Sequence, residues 1–128
     1  MPWTYAQTGR QLLDPNGDPA GTGYSGHDNG YNNHDAQAEK DVGPTPVGRY
    51  DIGPSFRHAL AGPVTMRLTP SADTDVFGRD GFMIHGDTPE HAQNPTARNS
   101  ASHGCIILAL PIRQRIDSSD DKTMVVTA

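Results

Sequence analysis

This chain predicts an all-β fold with one or two short helices, and three observations carry that expectation. Fourteen glycines and eleven prolines in 128 residues stand well above the roughly 12 % of an average protein and turn the chain too often for long helices. Val64, Met66 and Leu68 alternate with Thr65, Arg67 and Thr69, the period of a half-buried strand. Similar short runs recur between turn residues, which is the spacing of a sandwich or barrel. The length suits a single domain, residues 1–128, with chain enough for one modest core.

Taken in order, Trp3 to Thr8 alternates and reads as a strand, with Gln11 to Asp14 as its hairpin partner across Gly9-Arg10. Asp14-Pro15-Asn16-Gly17-Asp18-Pro19 is a turn by its breaker chemistry. Ala20 to Asn33 lacks periodicity and reads as an ordered loop packed through Tyr24 and Tyr31. Asp35 is placed to cap a short helix over Ala36 to Lys40, stopped by Gly43-Pro44. Strands are expected at Arg49 to Ile52, Val64 to Thr69, Phe82 to His85 and Cys105 to Leu110. Between the last two, Gly86 to Ala101 is a long polar loop, and such loops inside small domains usually serve function. Pro111 suits the first turn of a helix over Ile112 to Asp117, where its missing N–H costs nothing. Thr123 to Thr127 closes the domain as a strand.

Fifteen acidic against ten basic residues leave a net charge of −5, which argues against nucleic acid or an anionic membrane as partner. No apolar stretch is long enough to span a bilayer, so no membrane insertion is expected. Met1 to Arg10 has no basic n-region or apolar h-region, so the expectation is synthesis in the bacterial cytoplasm without a signal peptide. One cysteine forms no internal disulfide, and such a fold tolerates both reducing and oxidising compartments.

That cysteine lies in Ser102-His103-Gly104-Cys105-Ile106. Most free cysteines are small buried hydrophobes, and the apolar run after Cys105 fits that use. The polar Ser-His pair and the glycine fit it poorly. They suit a nucleophile at a turn–strand junction, with main-chain N–H groups of His103, Gly104 and Cys105 facing a carbonyl. Upstream, Phe82-Met83-Ile84 delivers His85 to a strand end just before Gly86. Alone it reads as a satisfied edge histidine; with Cys105 it makes a Cys-His acyl-transfer site the leading idea.

His85-Gly86 followed by Ser102-His103-Gly104-Cys105 resembles the signature of the L,D-transpeptidases. A longer match is to the type VI secretion L,D-transpeptidase effectors. It runs through Gly23-Tyr24-Ser25-Gly26, Asn32-Asn33, Gly43 to Tyr50, Met66 to Pro70, Gly78 to Phe82 and Ile84 to Asp87. The resemblance implies a mostly antiparallel β-sandwich, Cys105 as nucleophile, His85 as base and the Gly86 carbonyl as the group that orients its ring. It gives His103 a supporting role at the oxyanion site and lets Ser102 bond locally or to substrate. Housekeeping members carry Arg or Asn two residues past the cysteine, where this chain has Ile107. The substrate carboxylate must then be met elsewhere, with Arg79 or Arg98 as candidates and Tyr24, Ser25 and Asn33 as possible cleft residues. His27, His34, His58 and His91 are expected to be exposed loop residues.

The implied reaction is acyl transfer on peptidoglycan tetrapeptide stems, with hydrolysis or D-amino-acid exchange completing it and no cofactor or metal required. The implied setting is a secreted antibacterial effector acting in the target-cell periplasm and paired with an immunity protein. Two rivals stand beside it. One is a zinc site on His85, His103 and Cys105, which lacks any paired ligand spacing. The other is a non-catalytic cell-wall-binding module.

Overall fold

Alternation along Trp3–Ala6 (β1) buries Trp3 and Tyr5 on one side, and Thr123–Thr127 (β10) does the same with Met124 and Val126. The two lie side by side in parallel, Trp3 opposite Met124, so both apolar sets enter one core. The computed structural model describes residues 2–59, 61–87 and 104–128. Among them are eight further strands: Gln11–Leu13 (β2), Pro19–Thr22 (β3), Tyr24–Ser25 (β4), Gly48–Ile52 (β5), Phe56–His58 (β6), Gly62–Pro70 (β7), Met83–His85 (β8) and Ile106–Ile107 (β9).

Nine strands hydrogen-bond in the order β3-β2-β1-β10-β5-β7-β8-β9-β4, and β6 pairs with β7 off that path. Among the described residues only β1–β10 and β8–β9 are parallel; every other pairing is antiparallel. The fold is therefore all-β and mostly antiparallel, as expected. The sheet curls around a single main core. Trp3, Tyr5, Leu12, Tyr50, Met66, Ile84, Ile106, Ile116 and Met124 all meet there.

The one α-helix among the described residues, Leu110–Ser118 (α1), begins with Pro111 in its first turn and buries Ile116 against this core. It starts two residues earlier than the sequence predicts. Leu110 thus belongs to the helix, and only Ile106–Ile107 of the expected strand Cys105 to Leu110 enters a ladder. The expected loop of residues 20–33 also differs, because it holds β3, β4 and a 3-10 turn, Asp28–Gly30. Its strands pair with β2 and β9, and β3, with no fully buried side chain, and β4, of two residues, leave no side-chain period to read. At Gly23, between the two, a Cβ would meet the Ile107 carbonyl. The expected helix over Ala36 to Lys40 is instead a 3-10 turn, His34–Ala36. Asn33, not Asp35, caps it, accepting from the Asp35 N–H at 3.1 Å. Strand β6 was not expected from the sequence. Of the loop Gly86 to Ala101, all but the first two residues lie outside the described residues.

Candidate active site

Register in β8 and β9 sets the site. Ile84 lies opposite Ile106, and His85 opposite Ile107. Both isoleucines are fully buried in the main core. Successive strand residues point to opposite faces, so Met83 and His85 take the other face. Cys105, just ahead of β9, follows the same alternation. It packs there with Ile107 and Tyr24 in a second small cluster, flanked by Met83 and Tyr31. The pairing thus brings His85 and Cys105 to one face of two adjacent strands.

His85 is 7 % exposed, and its Nδ1 stands 2.8 Å from the Gly86 carbonyl oxygen. A carbonyl only accepts, so Nδ1 carries the proton and the neutral ring keeps its lone pair on Nε2. Cys105 is 8 % exposed. Burial pushes its thiol up to about 11, against the pull of a hydrogen bond from the Met83 main chain and the charge of Arg79. At neutral pH it rests as a thiol, with Sγ directed at the Gly81 carbonyl at 3.8 Å. A partner that removes the proton during attack is therefore needed.

The main chain before the sulfur is held just as firmly. Gly104 takes φ +129°, a left-handed conformation that favours glycine. Its carbonyl accepts from the Thr45 hydroxyl. Thr45 in turn donates its N–H to Ser25 Oγ at 2.8 Å, and the two hydroxyls stand 3.4 Å apart. Across a trans peptide the C=O and N–H point in opposite directions. Pinning the Gly104 carbonyl on one side therefore aims the Cys105 N–H to the other.

The structure assigns other work to several expected substrate contacts. Ser25 is fully buried, and its hydroxyl is committed to Thr45. Asn33 uses both ends of its amide on the local turn, accepting from Asp35 and donating to the Asn29 carbonyl at 2.8 Å. Arg79 is 6 % exposed and donates to the carbonyls of Gln37, Pro44 and Gly43 at 2.5, 2.8 and 2.9 Å. It is a strut under Gly104, and its charge reaches Cys105 from behind. The described loop histidines are half-buried rather than exposed. His34 Nδ1 lies 2.6 Å from Gln7 Oε1, His58 sits in β6, and His27 is near Asp28. Ser102, His103, His91 and Arg98 lie outside the described residues, and with His103 goes the ligand set of the zinc alternative.

Tyr24 does reach the site, donating from Oη to Asp87 Oδ1 at 2.8 Å with its ring 5.2 Å from that of Tyr31. These three residues line a cleft of about 510 Å³ together with Ile107, Arg10 and Arg113. His85 and Cys105 do not line it, but their neighbours Asp87 and Ile107 do. Thr45, Tyr31, Asp87 and Arg113 were not among the sequence candidates. Thr45 and Asp87 stand inside the quoted motifs, whereas Arg113 reads as an ordinary helix cation.

A family model described as the Tlde1 domain matches residues 20–127, which contain His85, Cys105 and the cleft residues other than Arg10. No curated protein matches the chain.

Proposed function

From the premise that the chain belongs to the Tlde1-domain family of type VI secretion L,D-transpeptidase effectors, we propose that it is a cysteine acyltransferase acting on peptidoglycan tetrapeptide stems. The observation that carries this reading is the shared face of His85 and Cys105, with Gly86 leaving Nε2 as the basic nitrogen.

Cys105 Sγ attacks the carbonyl of the third, diaminopimelate residue while its proton passes to His85 Nε2. The oxyanion forms against main-chain donors, of which the Cys105 N–H, aimed by Thr45 through Gly104, is one. A single well-placed donor of this kind is worth about 3 kcal/mol of barrier. Collapse breaks the C–N bond, and the departing D-alanine amine takes the proton from His85. The thioester then passes to water, giving L,D-carboxypeptidase activity, or to the amine of a free D-amino acid, giving exchange. His103 and Ser102 support the oxyanion site and the substrate chain in this scheme. No metal or organic cofactor enters it.

The setting proposed is delivery as an antibacterial toxin into the target periplasm, with a cognate immunity protein that plugs the cleft beside Cys105. Mass spectrometry of muropeptides after incubating sacculi with the protein tests the chemistry. Tetrapeptides should be converted to tripeptides, or to stems with an exchanged terminal residue, by wild type and not by Cys105→Ala. Equal conversion by the alanine variant would end the proposal. Toxicity from a periplasmic form that Cys105→Ala abolishes, beside a harmless cytoplasmic form, tests the setting.

A further inference from the structure

We infer that Arg113 is a specificity-determining residue whose free guanidinium nitrogen receives a carboxylate of the substrate in the cleft beside His85. The inference rests on the acyl-transfer reading above and adds a contact that the reading lacks.

Arg113 reaches the cleft from the first turns of α1 and is only 7 % exposed. Its Nε donates to the Leu108 carbonyl at 2.9 Å, and Nη1 to those of Pro63 at 2.7 Å and Val64 at 3.4 Å. These bonds fix the guanidinium plane. Among the described residues Nη2 has no acceptor, although it carries two N–H donors. Nor is it sealed in the interior. Among the described residues, the only fully buried side-chain polar atom without a partner is Tyr5 Oη. Nη2 therefore keeps accessible surface on a residue that lines the cleft.

Its position is close to the chemistry. A Cβ built on Gly86 would stand 2.5 Å from Arg113 Nη2, and Gly86 is the residue whose carbonyl orients His85. Charge points the same way. Among the described residues, the cleft lining has Arg10 and Arg113 against one aspartate, Asp87, in a chain of net −5. Burial pushes the Arg113 guanidinium down from its ordinary value, as expected of a cation held from water. A rigid, desolvated guanidinium with donors to spare suits a carboxylate better than any neutral group.

A tetrapeptide stem offers such a carboxylate from two sources, the C-terminus of the fourth residue and the side chain of the third. Three peptides separate them: the free acid, the C-terminal amide and the side-chain amide. Binding is measured by calorimetry on Cys105→Ala, so that no turnover intervenes, and KM and kcat on the protein with Cys105 intact. One amide should bind at least 10-fold more weakly than the acid, which identifies the source. Arg113→Gln should erase that difference by weakening the acid 10-fold or more, raising KM with kcat changed only a few-fold, and Arg10→Gln should keep it. Equal binding of all three peptides overturns the inference. So does discrimination that survives Arg113→Gln or disappears in Arg10→Gln instead. If Arg113→Gln does not fold, the acid–amide comparison with Arg113 in place and the Arg10→Gln control decide. Carboxylate-dependent binding without turnover would sink the acyl-transfer reading alone, and turnover indifferent to amidation would sink this inference alone.

Discussion

Arg79 and Arg113 are both buried, 6 % and 7 % exposed, and both are held by main-chain carbonyls. Each also stands behind a glycine of the site, with Nη2 2.5 Å from where a Cβ on Gly104 or Gly86 would sit. They differ in what is left over. Arg79 commits both terminal nitrogens to the 37–44 segment and stacks at 5.4 Å over Phe82, so it braces the nucleophile's loop. Among the described residues, Arg113 commits one terminal nitrogen and leaves the other with accessible surface, on a residue that lines the cleft. Burial and residue type are the same in the two cases. The uncommitted donors separate a brace from a recognition group.

The sharpest way to break this contrast is to remove Arg79. Arg79→Ala strands the carbonyls of Gln37, Gly43 and Pro44, and each buried orphan costs about 1–3 kcal/mol. A loss of at least about 3 kcal/mol should appear as a lower urea midpoint. A loss under about 1 kcal/mol would mean that Arg79 is no brace.

The two glycines sharpen the comparison next. Gly104→Ala meets both an unfavourable φ of +129° and the Arg79 guanidinium. It should lower kcat by about 10²-fold or more, because it disturbs the peptide that aims the Cys105 N–H. Gly86→Ala meets only the Arg113 guanidinium and has no left-handed backbone. It should act mainly through KM, by roughly 10-fold, the worth of about 1.4 kcal/mol. If both variants shift the same kinetic constant, the two arginines are not doing different things.

Third comes pH. Alkylation of Cys105 by iodoacetamide should rise about tenfold per pH unit toward a midpoint about 11. Arg79 lowers that value, so a folded variant lacking its charge should titrate higher, while Arg113→Gln should not move the midpoint. The same ionisation bears on stability. The folded value lies above the ordinary thiol value of 9.0, so the neutral thiol's contribution is intact below pH 9 and is lost as pH rises toward 11. Wild type should lose up to about 3 kcal/mol over that window relative to Cys105→Ala. His85→Ala should alter the alkylation profile more than His103→Ala.

The smallest effect is expected at Thr45. Thr45→Val removes the hydroxyl that donates to the Gly104 carbonyl and should reduce kcat by roughly 10-fold, about 1.4 kcal/mol. An unchanged kcat would mean that the Gly104 peptide is held without it.

Much of this fold was legible because its strands carry side-chain periods. β1, β2, β5, β7, β8 and β10 were all placed within two residues by alternation or breaker residues, and Pro111 marked the start of α1. β3 and β4 were not legible, since β3 buries no side chain fully and β4 is two residues long, too short to show a period. Cys105 and His85 stood out by residue type. The partners that hold Gly104, and the donor Arg113 leaves over, depend on long-range contacts that no local pattern records. The local bonds of Ser25 and Asn33 belong to the same long-range and turn contacts. Polar residues in a cleft-forming segment serve the segment first, as the Thr45 and Asp35 contacts show.

The central claim is that Cys105 carries the acyl group. Intact-protein mass spectrometry on protein quenched with acid during turnover of a tetrapeptide stem tests it most directly. The account predicts an adduct equal to the tripeptide acyl group, located on Cys105, labile to hydroxylamine and absent from Cys105→Ala. Full conversion of the stem peptide by Cys105→Ala, or an adduct on any other residue, would contradict it.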